Sequence, residues 1–350
     1  MENPSATAYR SPRSDNRVIF RSKNYATFAA ACLLSVACAL PAFAAAPSGL
    51  VSARTAFSSG RADEALRALG SAIGQNSANA EAWNLRCRVY LAQKRWNDAV
   101  SSCSRAVQLA PGSSMYHLWL GRAYGEKASR ASIFNAYQTA RLTHAEFETA
   151  VALDGSNPEA LSDLGEYYVD APGFLGGSYS QAAVLARRLD SINRERACEL
   201  RAHLAESQKD YATAEQNWHT RIAVSQPSPE ATAQAWMDLG SYYLRRGRWN
   251  EMLVALKNGA AADTQHGPAL VDGASTLIKA GREPQLAAQW LREYLNGKAL
   301  SADAPAFAVH AELGKLLRTQ GDLPAANREF AAANALSANY ATMLAGNNGE

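Results

Sequence analysis

The sequence predicts an all-α solenoid of about eight antiparallel helix pairs, and three observations predict it. First, Trp236-Met237-Asp238-Leu239-Gly240-Ser241-Tyr242-Tyr243 sets an aromatic, a Leu-Gly pair and a tyrosine at W-x2-L-G-x2-Y spacing. The frame returns at His117–Tyr124, Leu161–Tyr168 and His310–Leu317. Second, Cys87 and Gly121 take the same place in that frame 34 residues apart, the length of one helical hairpin. Third, alternating β-branched runs are absent and alanine is abundant throughout.

Taking Gly240 as the eighth place of a 34-residue unit phases the chain. A degenerate unit at about 46–79 carries Gly60, Ala65, Leu69 and Ala72. Unit 80–113 is the clearest, with Trp83, Cys87, Tyr90, Ala99, Cys103, Ala106 and Pro111 in register. Units 114–157 and 158–194 follow, then a weak one at 195–232 with Tyr211, Ala214 and Trp218. Unit 233–266 holds the octet; 267–300 has Gly281, Leu286 and Trp290; 307–340 has Gly321, Ala326, Phe330 and Ala333. Small residues at places eight and twenty let paired helices approach, and aromatics fill the space between hairpins. Pro111 and Pro158 fall between hairpins, where a proline ends a helix without removing an interior hydrogen bond. Eight such units cover 272 of the 306 residues after the first 44, which leaves no space for a catalytic domain.

Residues 1–44 read as a presequence. Arg10, Arg13, Arg17, Arg21 and Lys23 precede a small-apolar run from Ala26 to Leu40, then Pro41 and Ala42-Phe43-Ala44. That is the layout of a secretory signal, cleaved near Ala44 or Ala46. A retained anchor over 25–46 and a lipoprotein using Cys38 are the alternatives. The chain has 35 basic and 32 acidic residues; the presequence holds five and two, so 30 and 30 remain. A neutral remainder without a basic tract excludes an electrostatic case for nucleic acid. With the signal cleaved, no membrane span is expected.

The spacing resembles the tetratricopeptide repeat family across nearly all of the chain beyond the presequence. Two units match the family signature closely, two fairly and four in part. The resemblance implies a right-handed superhelix with a concave groove lined by each unit's first helix. It also implies peptide or protein binding, because hairpins that stabilise one another by stacking present a continuous surface.

Two units depart from the repeat. In 114–157, Tyr124 to Thr143 spans 19 residues where the repeat allows nine. Ile133, Phe134, Tyr137, Ala140, His144 and Phe147 keep helical spacing, so the second helix starts early, near Ser132, and projects. Residues 126–130 form the turn or lengthen the first helix. Unit 158–194 inserts Asp170 to Ser178, a glycine-rich loop that caps the next helix at Ser178 or Ser180. Both insertions leave the same edge. Phe174 and Leu175 then either cover the protruding helix or form a docking loop with it. The glycines there are not a phosphate loop, for which the preceding strand and the Lys-Ser/Thr pair are both missing.

Catalytic and metal signatures are missing from the sequence. His117, His144, His203, His219, His266 and His310 are scattered, with no pair at i, i+4 and no Gly-x-Ser-x-Gly. His117 and His310 take the aromatic fourth place, a packing position. Neither an enzyme nor a cofactor is expected. Cys87 and Cys103 face each other across one hairpin as a disulfide or as two small buried thiols, and export favours the bridge. Cys198 reads as core. Places five and nine point into the groove: Asn84 and Arg88, Leu118 and Arg122, Ser162 and Glu166, Met237 and Ser241. Arg88 and Arg122 either present forks for a peptide's carboxylates or pair with Glu126 and Glu166 as a solvated face. The family's carboxylate-clamp subgroup would want Lys and Asn at these places, so its ligand class does not carry over. The expected function is a non-catalytic interaction scaffold of the cell envelope, periplasmic, binding a protein or peptide in the groove. The second reading is an envelope protein contacting cell-wall polymer or exported polysaccharide, which exposed groove aromatics would favour.

Overall fold

A computed structural model describes residues 48–130, 133–338 and 340. The expected presequence, with Cys38 and the expected cleavage region, falls outside the described residues, as does Ser132. Sixteen α-helices and no strand occur among the described residues, so the fold is all-α. They pair in chain order as α1 (Ser48–Ser58) with α2 (Ala62–Gln75), α3 (Ala80–Ala92) with α4 (Trp96–Leu109), and α5 (Ser114–Ala128) with α6 (Ile133–Leu153). Next come α7 (Pro158–Asp170) and α8 (Tyr179–Asp190), then α9 (Arg194–Ser207) and α10 (Tyr211–Ser225). The last three pairs are α11 (Pro229–Arg245) with α12 (Trp249–Ala262), α13 (Pro268–Ala280) with α14 (Pro284–Asn296), and α15 (Ala306–Thr319) with α16 (Leu323–Leu336).

Local chemistry sets these ends. Asn79, Ser113, Asn157, Asn193 and Ser228 each turn a side-chain oxygen onto a backbone N–H of the first turn of an odd-numbered helix. Pro158, Pro229 and Pro268 sit at helix starts, where the missing N–H costs nothing. Where two helices of a hairpin approach most closely, glycine is required: a Cβ at Gly121 would lie 2.5 Å from the buried Phe147 ring, and one at Gly240 would lie 2.4 Å from Leu256. The first departure from the repeat is divided between both helices, since α5 runs on to Ala128 and α6 spans 21 residues. In the second, a 3-10 turn at Gly173–Leu175 precedes α8, which Ser178 caps through the Gln181 N–H.

The odd-numbered helices form an inner layer in which α1 meets α3, α3 meets α5, α5 meets α7, α7 meets α9 and α11 meets α13. Even-numbered helices lie outside and splay apart, as curvature demands. Among described residues the one appreciable contact between even helices joins α2 to α16, the first hairpin to the last. The stack therefore makes one superhelical turn whose end rests on its beginning. Gly60 and Gln93, at the turn edge of the first two hairpins, meet Ala306 and Ser337, at the opposite edge of the last. Phe307, Ala311, Ala333 and Tyr340 share one apolar cluster with Leu50, Ala53, Phe57, Leu85 and Val89.

Candidate functional site

The inner wall is where the expected groove residues gather, and it is a filled ionic surface. Arg122 on α5 is 1% exposed. Its Nε donates to Asp163 Oδ2 at 2.6 Å and its Nη2 to Glu159 Oε2 at 3.0 Å, both on α7. The carboxylate partners of Arg122 are thus Glu159 and Asp163 of the next hairpin, a correction to the expected pairing with Glu166. The reason is reach: place two and the following turn of α7 stand opposite place nine of α5, because inner helices crowd on the concave side. Burial raises the Asp163 carboxyl even though Arg122 opposes it. Arg196 opposes the shift too and Glu159 adds to it, so taking a carboxylate out of water here outweighs what its cations return.

Trp119, 8% exposed, lies between two guanidinium groups, with Arg88 at 4.6 Å and Arg122 at 4.5 Å from its ring centroid. Arg88 is therefore held by stacking, and burial lowers its affinity for its proton while Asp303 on the α14–α15 connection opposes that shift. Asn84 stands one turn earlier on the same helix and is 7% exposed. Several polar atoms here have no hydrogen-bond partner: Asn84 Oδ1, Arg88 Nε, Arg122 Nη1, and Nε and Nη2 of Arg196 on α9. Native interiors leave few such atoms unfilled.

Glu166 faces the next stretch of wall. Burial pushes its carboxyl well above the ordinary glutamate range, and Glu199, Asp163 and Asp170 add to the shift against Arg196. Further round, Arg221 of α10 is fully buried and paired with Asp238, with Glu199 at 3.5 Å and Glu195 at 3.9 Å. Ser241 and Thr276 share a hydrogen bond at 2.9 Å, and Leu118, Ser162 and Met237 are buried. Glu126 is partly buried near the end of α5.

The other expected residues lie away from the wall. Cys87 and Cys103 are joined by a disulfide, Cα atoms 5.2 Å apart, inside a small cluster with Ala99, Leu120 and Ala123. Cys198 is buried and reduced. His117 and His310 each set Nδ1 2.6 Å from a glutamate of the partner helix, Glu146 and Glu329. At the edge, Phe174 is 75% exposed and stacks on Tyr137 with centroids 6.4 Å apart. The Tyr167 hydroxyl donates to the Leu175 carbonyl at 2.8 Å and lies 3.1 Å from the Ala140 carbonyl, tying the loop to α6. Leu175 is thus fastened down while Phe174 remains outward. Among the described residues no group of three His, Cys, Asp or Glu is arranged to hold a metal ion, and no helix is long and apolar enough to cross a membrane.

Residues 50–114 match the tetratricopeptide repeat family. Superkiller complex protein 3 of Mus musculus is 27% identical over 214 residues, which is 59% of this chain and 13% of that protein. The chain thus spans a small part of that relative's length. A tetratricopeptide repeat protein from Parabacteroides merdae is 15% identical at a TM-score of 0.46, covering 77% of this chain and 96% of that one. A thermophilic TPR protein of Thermus thermophilus is 17% identical at a TM-score of 0.39, covering 71% and 97%. The family match thus covers the first two hairpins, and tetratricopeptide repeats are an architecture typical of protein–protein interaction.

Proposed function

We propose that this protein is an interaction scaffold of the cell envelope that binds an extended acidic peptide segment along the inner wall of its superhelix. The observation that carries the reading is the set of unfilled, mostly buried polar atoms of Asn84, Arg88, Arg122 and Arg196. A peptide supplies what they lack, since its carbonyls and carboxylates accept from the guanidinium groups and a backbone N–H donates to Asn84 Oδ1. Export accords with the Cys87–Cys103 bridge, which an oxidising compartment sustains. The polysaccharide reading is weaker: the inner-wall Trp119 is engaged by two arginines, and the exposed ring of Phe174 stands at the edge.

The test is capture of acidic peptides from an immobilised peptide library, comparing the parent with Arg88→Ala and Asn84→Ala. Arg122 is unsuitable because Asp163 and Glu159 would be left buried without their cation. Loss of at least roughly tenfold in affinity is expected, the scale of a charged hydrogen bond. Equal binding by both variants, or preference for neutral glycans, would reject the reading.

A further inference from the structure

Resting on the peptide reading above, we infer that the wall selects a segment of two charges. An acidic residue sits at Arg88, and a lysine or arginine about six residues away sits among the carboxylates of α7 and α9. The sign of the wall changes along the stack. Place nine of the inner helices is Arg88 on α3, Arg122 on α5 and Glu166 on α7. Arg122 is already neutralised by Asp163 and Glu159, so the change falls between α5 and α7. Around Glu166 stand three further carboxylates, Glu199, Asp163 and Asp170, against one guanidinium, Arg196. The other cations nearby are committed elsewhere. Arg122 is held by Asp163, Arg221 by Asp238 and Glu199, and Arg245 by both oxygens of Glu206. Glu166 and Asp170 lie one turn apart on α7, so the two carboxylates share a face.

Arg196 decides what kind of cation fits. It is 6% exposed, is opposed in charge by both Asp163 and Glu166, and leaves Nε and Nη2 without hydrogen-bond partners. A ligand that fills this stretch therefore brings acceptors as well as positive charge. A polyamine brings no acceptor. An amino-acid residue brings both: its backbone carbonyl accepts from Arg196, and its side-chain cation meets Glu166. Both anchor points are partly accessible, Arg88 at one end and Glu166 at the other, whereas Asn84 and Arg122 beside them are buried. The spacing follows from helix packing. Neighbouring inner helices lie roughly 8–10 Å apart, so two steps from α3 to α7 make about 16–20 Å. An extended chain advances ~3.3 Å per residue, which puts about six residues between the two charges.

The experiment measures, by fluorescence anisotropy, binding of labelled peptides that carry an aspartate pair and one lysine. The lysine stands two, four, six or eight residues from the pair, in either order, and each peptide has a twin with norleucine in its place. At about six residues, lysine should bind roughly tenfold tighter than norleucine, the scale of one charged hydrogen bond, and at two residues it should gain nothing. Glu166→Gln should bring that ratio close to one, whereas Arg88→Ala should weaken both twins and keep the ratio. An amide of the same shape relieves repulsion among like charges, so folding of the Glu166→Gln variant is not at risk. Equal binding of the twins at every spacing overturns the two-charge inference while the norleucine peptides, bound and sensitive to Arg88→Ala, keep the peptide reading. A lysine gain that survives Glu166→Gln also overturns it, as does a Glu166→Gln variant that weakens both twins alike. Failure of every peptide to bind the parent rejects both.

Discussion

Among single residues, the buried carboxyls of the inner wall tie stability to pH. The folded-state pKa of Glu166 is raised above its unfolded value, so within that window the native state holds more protons than the unfolded chain. Its contribution is fully present below about pH 4.5, the ordinary glutamate value, and is lost as pH rises through the raised one. Glu166→Gln should therefore melt higher than the parent at neutral pH and match it below the ordinary glutamate range. Thermal melts at a series of pH values check this, and equal melting temperatures at neutral pH would contradict it. Arg122→Ala strands Asp163 and should cost about 3–5 kcal/mol in urea denaturation. Reducing the Cys87–Cys103 bridge, or replacing both cysteines by serine, should cost about 3 kcal/mol by restoring loop entropy to the unfolded chain. Part of this was legible beforehand. Place numbers named Arg88, Arg122 and Glu166 as inner-wall residues, whereas the partners Glu159 and Asp163 depended on how closely α5 and α7 approach.

Helix pairing is fixed by small residues opposite large ones. Gly121 against Phe147 and Gly240 against Leu256 are contacts a side chain cannot share. Gly121→Val should lower stability by about 1–3 kcal/mol through overpacking. In contrast, Gly70 in α2 has open space around its Cβ position, and Gly70→Ala should add about 0.5–1 kcal/mol from helix propensity alone. Paired denaturation curves of the two variants separate close approach from propensity. The longer α5 and α6 answer to spacing visible in the sequence, as does the Ser178 cap. That Leu175 would be tied down by Tyr167 while Phe174 faced outward was not visible. Both are apolar residues in one loop, and only the path of α6 distinguishes them.

For the molecule as a whole, contact between first and last hairpins alters the usual behaviour of a solenoid, whose ends fray because each unit touches only its neighbours. Here Phe307 is fully buried against a cluster reaching back to Leu50 and Phe57. Amides of α1 and α15 should accordingly exchange with deuterium no faster than those of α11. Phe307→Ala should cost about 3–5 kcal/mol and release protection at both ends together. Release at α15 alone would show that the two ends do not support one another.

The sequence by itself determined that the chain is a stack of paired helices, because hairpin geometry is encoded locally. A glycine, an alanine and an aromatic at set places within 34 residues suffice, and each unit repeats the instruction. Position within a unit also set Cys87 opposite Cys103 across one hairpin, though it left bridge and free thiols both open until the structure joined them. Only the tertiary structure decided that the superhelical turn returns to its start and that Arg122 is spent on α7. Those outcomes accumulate small rotations over eight units. They bring together residues far apart in the chain, such as Gln93 and Ser337, whose meeting no local spacing specifies.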